Sequence, residues 1–302
     1  MHMRERLSIV GAGRAGCALA QKLRERGWKI CAVVTRSSAS ARQAVRAIGG
    51  GQPFATITPE ILEANVVLLA APDDALAGIA RKLGAEFGPK WQGKVALHLS
   101  GALEASVLAP LAHVGAAVGS MHPLQTFNGT GTPELRGVLF GVEGDKRATR
   151  VARGIVRALG AAAVEIGVHD KAKYHAGAVM AAGHGAVLME AASLLLRSSG
   201  FTERQARRAL LRLTRRMLEN FEVGGGPGAW TGPLARGDYK TIARHERALR
   251  TEPREIREAY AALSHLGSRL LAKDAVGMKR RLNEIFGKQR QKKLHKPKGG
   301  KK

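Results

Sequence analysis

Apolar residues along the chain gather in short runs separated by polar, glycine-punctuated stretches. Leu7 to Val10 is the first run, and its length and flanks predict a buried strand. Gly11, Gly13 and Gly16 follow at G-x-G-x-x-G spacing, and Ala18 to Arg26 predicts a helix closed by Gly27. Trp28 to Thr35 predicts a second strand, and Ser40 to Ile48 a helix stopped by three glycines. Thr58-Pro59-Glu60 opens a short helix, with Thr58 as the expected N-cap and Pro59 at the first helical position. Asn65 to Ala71, Lys94 to Leu99, Ala116 to Met121, Val138 to Val142 and Ala162 to Ile166 predict five more strands. Strands alternating with helices over residues 1–166 predict an α/β domain with a doubly wound, mainly parallel sheet.

Beyond His169 the pattern turns helical. Asp170 to Arg197 predicts one long helix. Gly177, Gly183 and Gly185 inside it each cost roughly 1 kcal/mol relative to Ala, so close approach of another helix or a ligand is expected there. Thr202 and Gln205 form a capping-box signature for a helix to about Phe221, and Gly224 to Gly228 reads as a flexible loop. Asp238 is the expected N-cap of a helix from Tyr239 to Arg250, and Thr251-Glu252-Pro253 and Asp274 open two more. Residues 167–287 therefore read as an all-helical domain.

Composition adds constraints. No apolar run reaches the roughly 18 residues of a membrane span, so no membrane segment is expected. Met3 to Arg6 before an apolar stretch has the outline of a secretion signal. Arg14 breaks that stretch and Glu5 sits in its basic part, so a signal is not expected. Cys17 and Cys31, the only cysteines, have neither metal-ligand nor disulfide-framework spacing; no metal and a reducing cytoplasm are expected. The formal net charge is +25, from 49 Lys and Arg against 24 Asp and Glu. Residues 288–302 hold eight of those cations and no acid, and read as a disordered basic tail. Nucleic-acid contact through that tail is the weaker reading, because no aromatic residue interleaves it to stack on bases.

The first strand, the glycine turn and the helix after it form an anion site. Gly11, Gly13 and Gly16 let the backbone approach a pyrophosphate, and the helix start, Arg14-Ala15-Gly16, offers amides to it. The second strand ends in Thr35-Arg36-Ser37, where an NAD-preferring site usually carries an acid for the ribose hydroxyls. A guanidinium and hydroxyls suit a 2′-phosphate, so NADP is the expected cofactor. The turns at Ala71-Pro72 and Ser100-Gly101 should flank it, with Asp73 or Asp74 capping the helix that follows. Polar groups expected near the cleft include Lys171, Lys173, Tyr174 and His184 beside those named next. His122, directly after a strand and before Pro123, reads either as a group that polarises a carbonyl or donates a proton, or as a brace for its turn. His175 shares a helix face with Lys171 and reads as an active-site group or as an interior histidine. Arg236, in a glycine-bounded loop, can grip a carboxylate; Asp238 joins it or simply caps its helix.

Six segments together carry a resemblance: Gly-Ala-Gly-Arg-Ala-Gly, Leu-Ala-Ala-Pro-Asp-Asp, His-Leu-Ser-Gly-Ala, His-Pro-Leu-Gln-Thr-Phe, Lys-Tyr-His-Ala-Gly-Ala-Val and Leu-Ala-Arg-Gly-Asp. The chain resembles a bacterial two-domain family with a Rossmann-like NADP-binding domain and a helical domain of unknown function. That family is similar to pyrroline-carboxylate reductases, ketopantoate reductases and the 6-phosphogluconate dehydrogenase group. The resemblance covers nearly everything but the basic tail. It implies an NADP-dependent oxidoreductase, a homodimer built through the helical domain, and a cleft containing His122, His175, Arg236 and Asp238. One departure stands out: Ala182-Gly183 occupies the place where such relatives often carry Ser-Asn. Two functions are therefore weighed. One is hydride transfer to or from a small carbonyl or imine compound, with or without a carboxylate. The other is a non-catalytic NADP-binding sensor or scaffold.

Overall fold

The computed structural model describes residues 5–129, 131 and 133–287. The expected basic tail, 288–302, lies outside them. Two compact units emerge, Met1–His184 and Gly185–Lys302. The first unit thus runs past residue 166, because the start of the next helix is anchored in the sheet.

The first unit is built on β1 (Arg6–Val10), β2 (Lys29–Val34), β3 (Gln52–Phe54), β4 (Val66–Leu69), β5 (Val95–His98), β6 (Ala117–Pro123), β7 (Leu139–Gly144) and β8 (Ala162–Glu165). They form one sheet in the order β3-β2-β1-β4-β5-β6-β7-β8. Every pair is parallel except β6 with β7. The strand order reverses at β1, so a crevice opens between β1 and β4 at their carboxyl ends. Around the sheet lie α1 (Arg14–Glu25), α2 (Ser38–Ile48), α3 (Asp73–Phe87), α4 (Ala109–Ala112), α5 (Lys146–Ala158) and α6 (Lys171–Val179). One core joins Leu7, Ile9, Leu19, Val33 and Leu68 to Phe140 and Ile155; the other joins Val10, Val67, Leu76 and Trp91. The alternation of Leu7 and Ile9 against Ser8 and Val10 sends successive side chains of β1 to opposite faces. Both faces are apolar, as a sheet covered on two sides requires.

Local chemistry departs from expectation at several places. Pro59–Glu63 is a 3-10 turn, and the Thr58 hydroxyl bonds the Glu60 side chain instead of a backbone amide. α3 is preceded by Pro72, and Asp73 and Asp74 lie in its first turn, so neither caps it. Asp73 instead accepts from Ser100 Oγ at 2.8 Å. The long helix from Asp170 is interrupted: Met180–His184 is a single π-turn between α6 and α7 (Gly185–Ser198). Gly177 and Gly185 face open space within 4 Å of a constructed Cβ, and Gly183 meets only Val179 at 3.5 Å. The close helix contact expected at these glycines is absent among the described residues. Lys171–Ser198 is, by length and composition alone, apolar enough to cross a membrane, which corrects the expectation that no segment qualifies.

The second unit contains α7, α8 (Glu203–Ala229), α9 (Gly232–Ala235), α10 (Tyr239–Ala248), α11 (Arg254–Leu271) and α12 (Ala275–Phe286). The Thr202–Gln205 capping box forms, and Asp238 and Asp274 cap α10 and α12. The run Gly224–Gly228 is no loop; it continues α8 through a kink at Gly225 (φ 59°), with Pro227 just beyond. Positive φ at a glycine costs little, which lets the chain leave helical geometry at Gly225 and resume it beyond. Ile242, Met278 and Leu282 form a small core with Trp230 and Phe286. Val187 on α7 and Leu211, Leu213, Leu218 and Phe221 on α8 stay exposed.

Candidate active site

The glycine turn is shaped by packing as much as by any ligand. Gly11 has φ +83°, and a Cβ there would lie 2.8 Å from the Ala71 nitrogen. A Cβ on Gly16 would lie 2.7 Å from Ala70 Cβ. These two glycines let α1 sit close against β4. Gly13 differs: a Cβ there would meet only the Ala70 carbonyl oxygen, at 3.9 Å. Gly13 is the N-cap of α1 and supplies no side-chain cap. The amides of Arg14, Ala15 and Gly16 in the first turn have no intrahelical acceptor and point at that open space. Oxygen atoms of a pyrophosphate are suited to them. The cradle lies at the β1–β4 crevice, where open α/β sheets bind ligands. Arg14 Nη1 donates to the Phe127 carbonyl at 3.3 Å, tying the segment after β6 to the glycine turn.

Thr35, Arg36 and Ser37 follow β2. Ser37 caps α2, its Oγ accepting from the Ser40 amide at 3.2 Å, and Thr35 Oγ1 donates to the Ser37 carbonyl at 3.0 Å. Arg36 is exposed beside this turn. A cap hydroxyl and a free guanidinium at one strand end suit a phosphate monoester.

Ser100 and Gly101 end β5 and prove to be structural hubs. Ser100 Oγ donates to Asp73 and accepts from the amides of Ala102 and Leu103. A Cβ on Gly101 would come within 2.5 Å of His175 Cδ2 and 2.9 Å of His122 Nε2. Only a glycine allows both rings to rest on that backbone.

His122 lies inside β6, not in the turn after it. Antiparallel pairing with Gly141 on β7 lengthens the strand past Met121. Its ring makes edge contacts with Tyr174, at a centroid distance of 5.6 Å, and with His175, at 5.5 Å. Tyr174 holds it twice: His122 Nδ1 lies 2.9 Å from the phenol oxygen, which itself donates to the His122 carbonyl at 3.3 Å. The phenol has one hydrogen, so both bonds form only when His122 Nδ1 carries the ring proton. Nε2 is then left with its lone pair. Burial, with the Lys171 ammonium second, pushes the His122 pKa down to about 4, so the ring is neutral near pH 7.

α6 brings Tyr174 and His175 to this point, and Lys171 fixes α6. Lys171 is 1% exposed, and its Nζ donates to the Ser100 carbonyl at 2.9 Å and to Ser120 Oγ at 3.0 Å. Burial lowers its pKa to about 8, while Glu143 and Asp73 pull the other way. Burial likewise raises the Glu143 carboxyl, which accepts from the Ala105 amide at 2.7 Å. His98, buried at the end of β5, accepts from the Ser100 amide at Nδ1 and is held near 4 by burial. Glu143, His98 and Asp73 were not singled out as site-supporting groups from the sequence. An acid in an otherwise apolar strand, Leu-Phe-Gly-Val-Glu, was the available signal for Glu143.

His122, Tyr174 and His175 open into a cavity of about 660 Å³ together with Gln125 and small residues of α6 and the π-turn. Arg236 and Asp238 belong to the second unit. There Asp238 accepts from the amide and hydroxyl of Thr241 and caps α10. Arg236 stands at the end of α9.

Comparison with known proteins agrees with this fold. Residues 1–123 match a Rossmann-like domain, and residues 138–266 match DUF2520, a domain of unknown function. No curated protein matches significantly. Among solved structures, a protein from Thermotoga maritima is similar at 22% identity and TM-score 0.67, over 92% of this chain and 98% of that one. A candidate NADP oxidoreductase from Bacteroides fragilis is similar at 21% and 0.65, over 87% and 97%. An imine reductase from Streptomyces aurantiacus is similar at 18% and 0.62, over 91% and 99%. The chain thus joins a Rossmann-like domain to a DUF2520 domain, the two-domain arrangement that its motifs resemble.

Proposed function

We propose that the chain is an NADP-dependent reductase of a small carbonyl or imine compound. The observation that carries this reading is the placement of two features on one sheet edge. One is a glycine cradle left open at Gly13; the other is a neutral histidine, His122, packed against His175 on Gly101. The names of two structural neighbours, an NADP oxidoreductase and an imine reductase, support it.

The residues fit the cofactor. The amides of Arg14, Ala15 and Gly16 receive the pyrophosphate beside Gly11 and Gly13. Arg36, with Thr35 and Ser37, receives the 2′-phosphate, and the backbones of Ala71, Pro72, Ser100 and Gly101 flank the dinucleotide. When bound, NADPH supplies a hydride for the carbon of the C=O or C=N bond. The oxygen or nitrogen of that bond must then gain one proton. His122 Nε2, lacking a hydrogen, can only accept, so it meets an N–H of a protonated imine and offers nothing to a C=O oxygen, which falls to His175. His175 is the group beside it that delivers the proton. A homodimer through the second unit is supported by the exposed apolar residues of α7 and α8, and light scattering should report twice the 32.1 kDa chain mass.

Titration with NADPH and NADH tests the cofactor part. We expect NADPH to bind at least tenfold more tightly, and Arg36→Glu to abolish that preference without weakening NADH. Equal binding of the two by the unaltered protein rejects it. Consumption of NADPH with a carbonyl and imine panel tests the chemistry, and His175→Gln should lower it at least a hundredfold.

A further inference from the structure

The cavity beside His122 and His175 has an uneven chemistry. Its polar lining is His122, Tyr174, His175, Gln125 and Thr126. The remaining wall comes from Leu124, Ala178, Val179 and Ala182, with Gly177 and Gly183 between them. A Cβ at Gly177 would meet nothing within 4 Å, so the glycine there leaves room unfilled by the protein. The π-turn at Met180–His184 adds a residue to the helix at this wall, a feature that recurs at ligand sites.

No Asp, Glu, Lys or Arg is among the residues that line the cavity. The buried cation Lys171, whose Nζ lies 5.8 Å from the Tyr174 ring centroid, is not a lining residue and is committed to the Ser100 carbonyl and Ser120 Oγ. No helix start supplies anion-binding amides either. The unpaired amides of α6 belong to Lys171, Ala172 and Lys173, before the first lining residue, Tyr174. The same wall therefore offers a carboxylate no partner, and stripping a carboxylate of water without one is costly. An apolar ring or chain gains by covering the same wall.

Resting on the reductase reading above, we infer that this cavity takes a neutral, apolar-bodied ketone or imine and discriminates against the same compound carrying a carboxylate. The polar lining holds the C=O or C=N group, and the Leu124–Val179 wall holds the hydrocarbon.

Matched compounds that differ only in the carboxylate test this with the full chain and NADPH: phenylacetone against phenylpyruvate, and 1-pyrroline against 1-pyrroline-2-carboxylate. The neutral member of each pair should have a kcat/KM at least tenfold higher. Ala178→Lys should reverse this order, so that phenylpyruvate is preferred over phenylacetone. A second readout does not need turnover. Histidine ring proton signals, assigned to His122 and His175 by His122→Gln and His175→Gln, are followed during titration of the NADPH-loaded protein with phenylacetone and with phenylpyruvate. Phenylacetone should shift them at a tenfold lower concentration. Equal or better performance of the carboxylated compounds in either readout overturns the inference and leaves the reductase reading standing. NADPH binding with selective phenylacetone shifts but no reduction of any compound does the reverse.

Discussion

Lys171 and Ser120 are 51 residues apart in the chain, and Lys171 Nζ lies 3.0 Å from Ser120 Oγ in a fully buried setting. This bond, with that to the Ser100 carbonyl, fastens the first turn of α6 to the ends of β5 and β6. One turn later the same helix presents Tyr174 and His175 to His122. Lys171 is thereby a positioning residue. Lys171→Met removes both hydrogen bonds while keeping most of the volume, and leaves the Ser100 carbonyl and Ser120 Oγ short of a donor. It should lower stability by about 2–3 kcal/mol. Ser120→Ala, which removes one acceptor of Lys171 and the long bond to Glu143, should cost about 1 kcal/mol. Denaturant unfolding of the first unit's signal measures both, and a Lys171→Met protein as stable as the original contradicts the anchoring role.

The hydrogen-bond pair between Tyr174 and His122 fixes a tautomer. Tyr174→Phe removes the acceptor for Nδ1–H and frees the ring to turn. Reductase turnover should fall about tenfold, with NADPH affinity within threefold of the original. The fluorescence of bound NADPH separates the two effects. An unchanged kcat would show that the tautomer of His122 does not matter to the reaction.

Two buried histidines set an acid limit on stability. His98 and His122 titrate near 4 when folded, against an ordinary value of 6.5. Between pH 6.5 and 4 the unfolded chain binds protons that the folded one refuses, so stability falls as pH drops through that window and is flat above it. His98→Gln should flatten part of this slope. Melting temperatures measured from pH 4 to 8 check it; a melting temperature that rises on acidification from 6.5 would contradict the sign.

Gly101 carries a cost that its sequence setting did not announce. Gly101→Ala puts a methyl group 2.5 Å from His175 and 2.9 Å from His122, so one ring must move. Turnover should drop at least a hundredfold while the far-UV spectrum stays native. Retention of activity would mean that the ring pair is not the reacting centre.

Seven of the eight strands were readable because each is a short apolar run between glycine-rich or polar breaks, and the glycine turn stood directly after the first of them; β3, Gln-Pro-Phe at the sheet edge and largely exposed, carries no such signal. What the pattern could not convey were contacts across many residues. His122 belongs to a strand because β7 pairs with it from 19 residues away at Gly141. Lys171 is expected near the cleft on the face of His175, but its full burial depends on Ser100 and Ser120. The interruption at Met180–His184 is invisible to periodicity, which continues smoothly across it, whereas the glycine run marked the break at Gly225 but not the helical turns that resume after it. The three glycines of the first turn look alike in sequence. Their environments differ sharply.

That difference gives the sharpest test of the cradle. Gly11 has a positive φ and Ala71 backbone at 2.8 Å, so Gly11→Ala strains the chain and forces β1 and β4 apart. Stability should fall by more than about 2 kcal/mol, from strain and overpacking together. Gly13→Ala meets only the Ala70 oxygen at 3.9 Å, and its backbone angles (φ −75°) suit any residue. The melting temperature should stay within about 2 °C, since small surface changes rarely exceed 0.5 kcal/mol. The new methyl group nonetheless stands where a pyrophosphate must approach the amides of α1. NADPH affinity should therefore fall at least tenfold in Gly13→Ala. If both variants lost stability and cofactor alike, the glycines would share one structural role and the open cradle would not be the phosphate site.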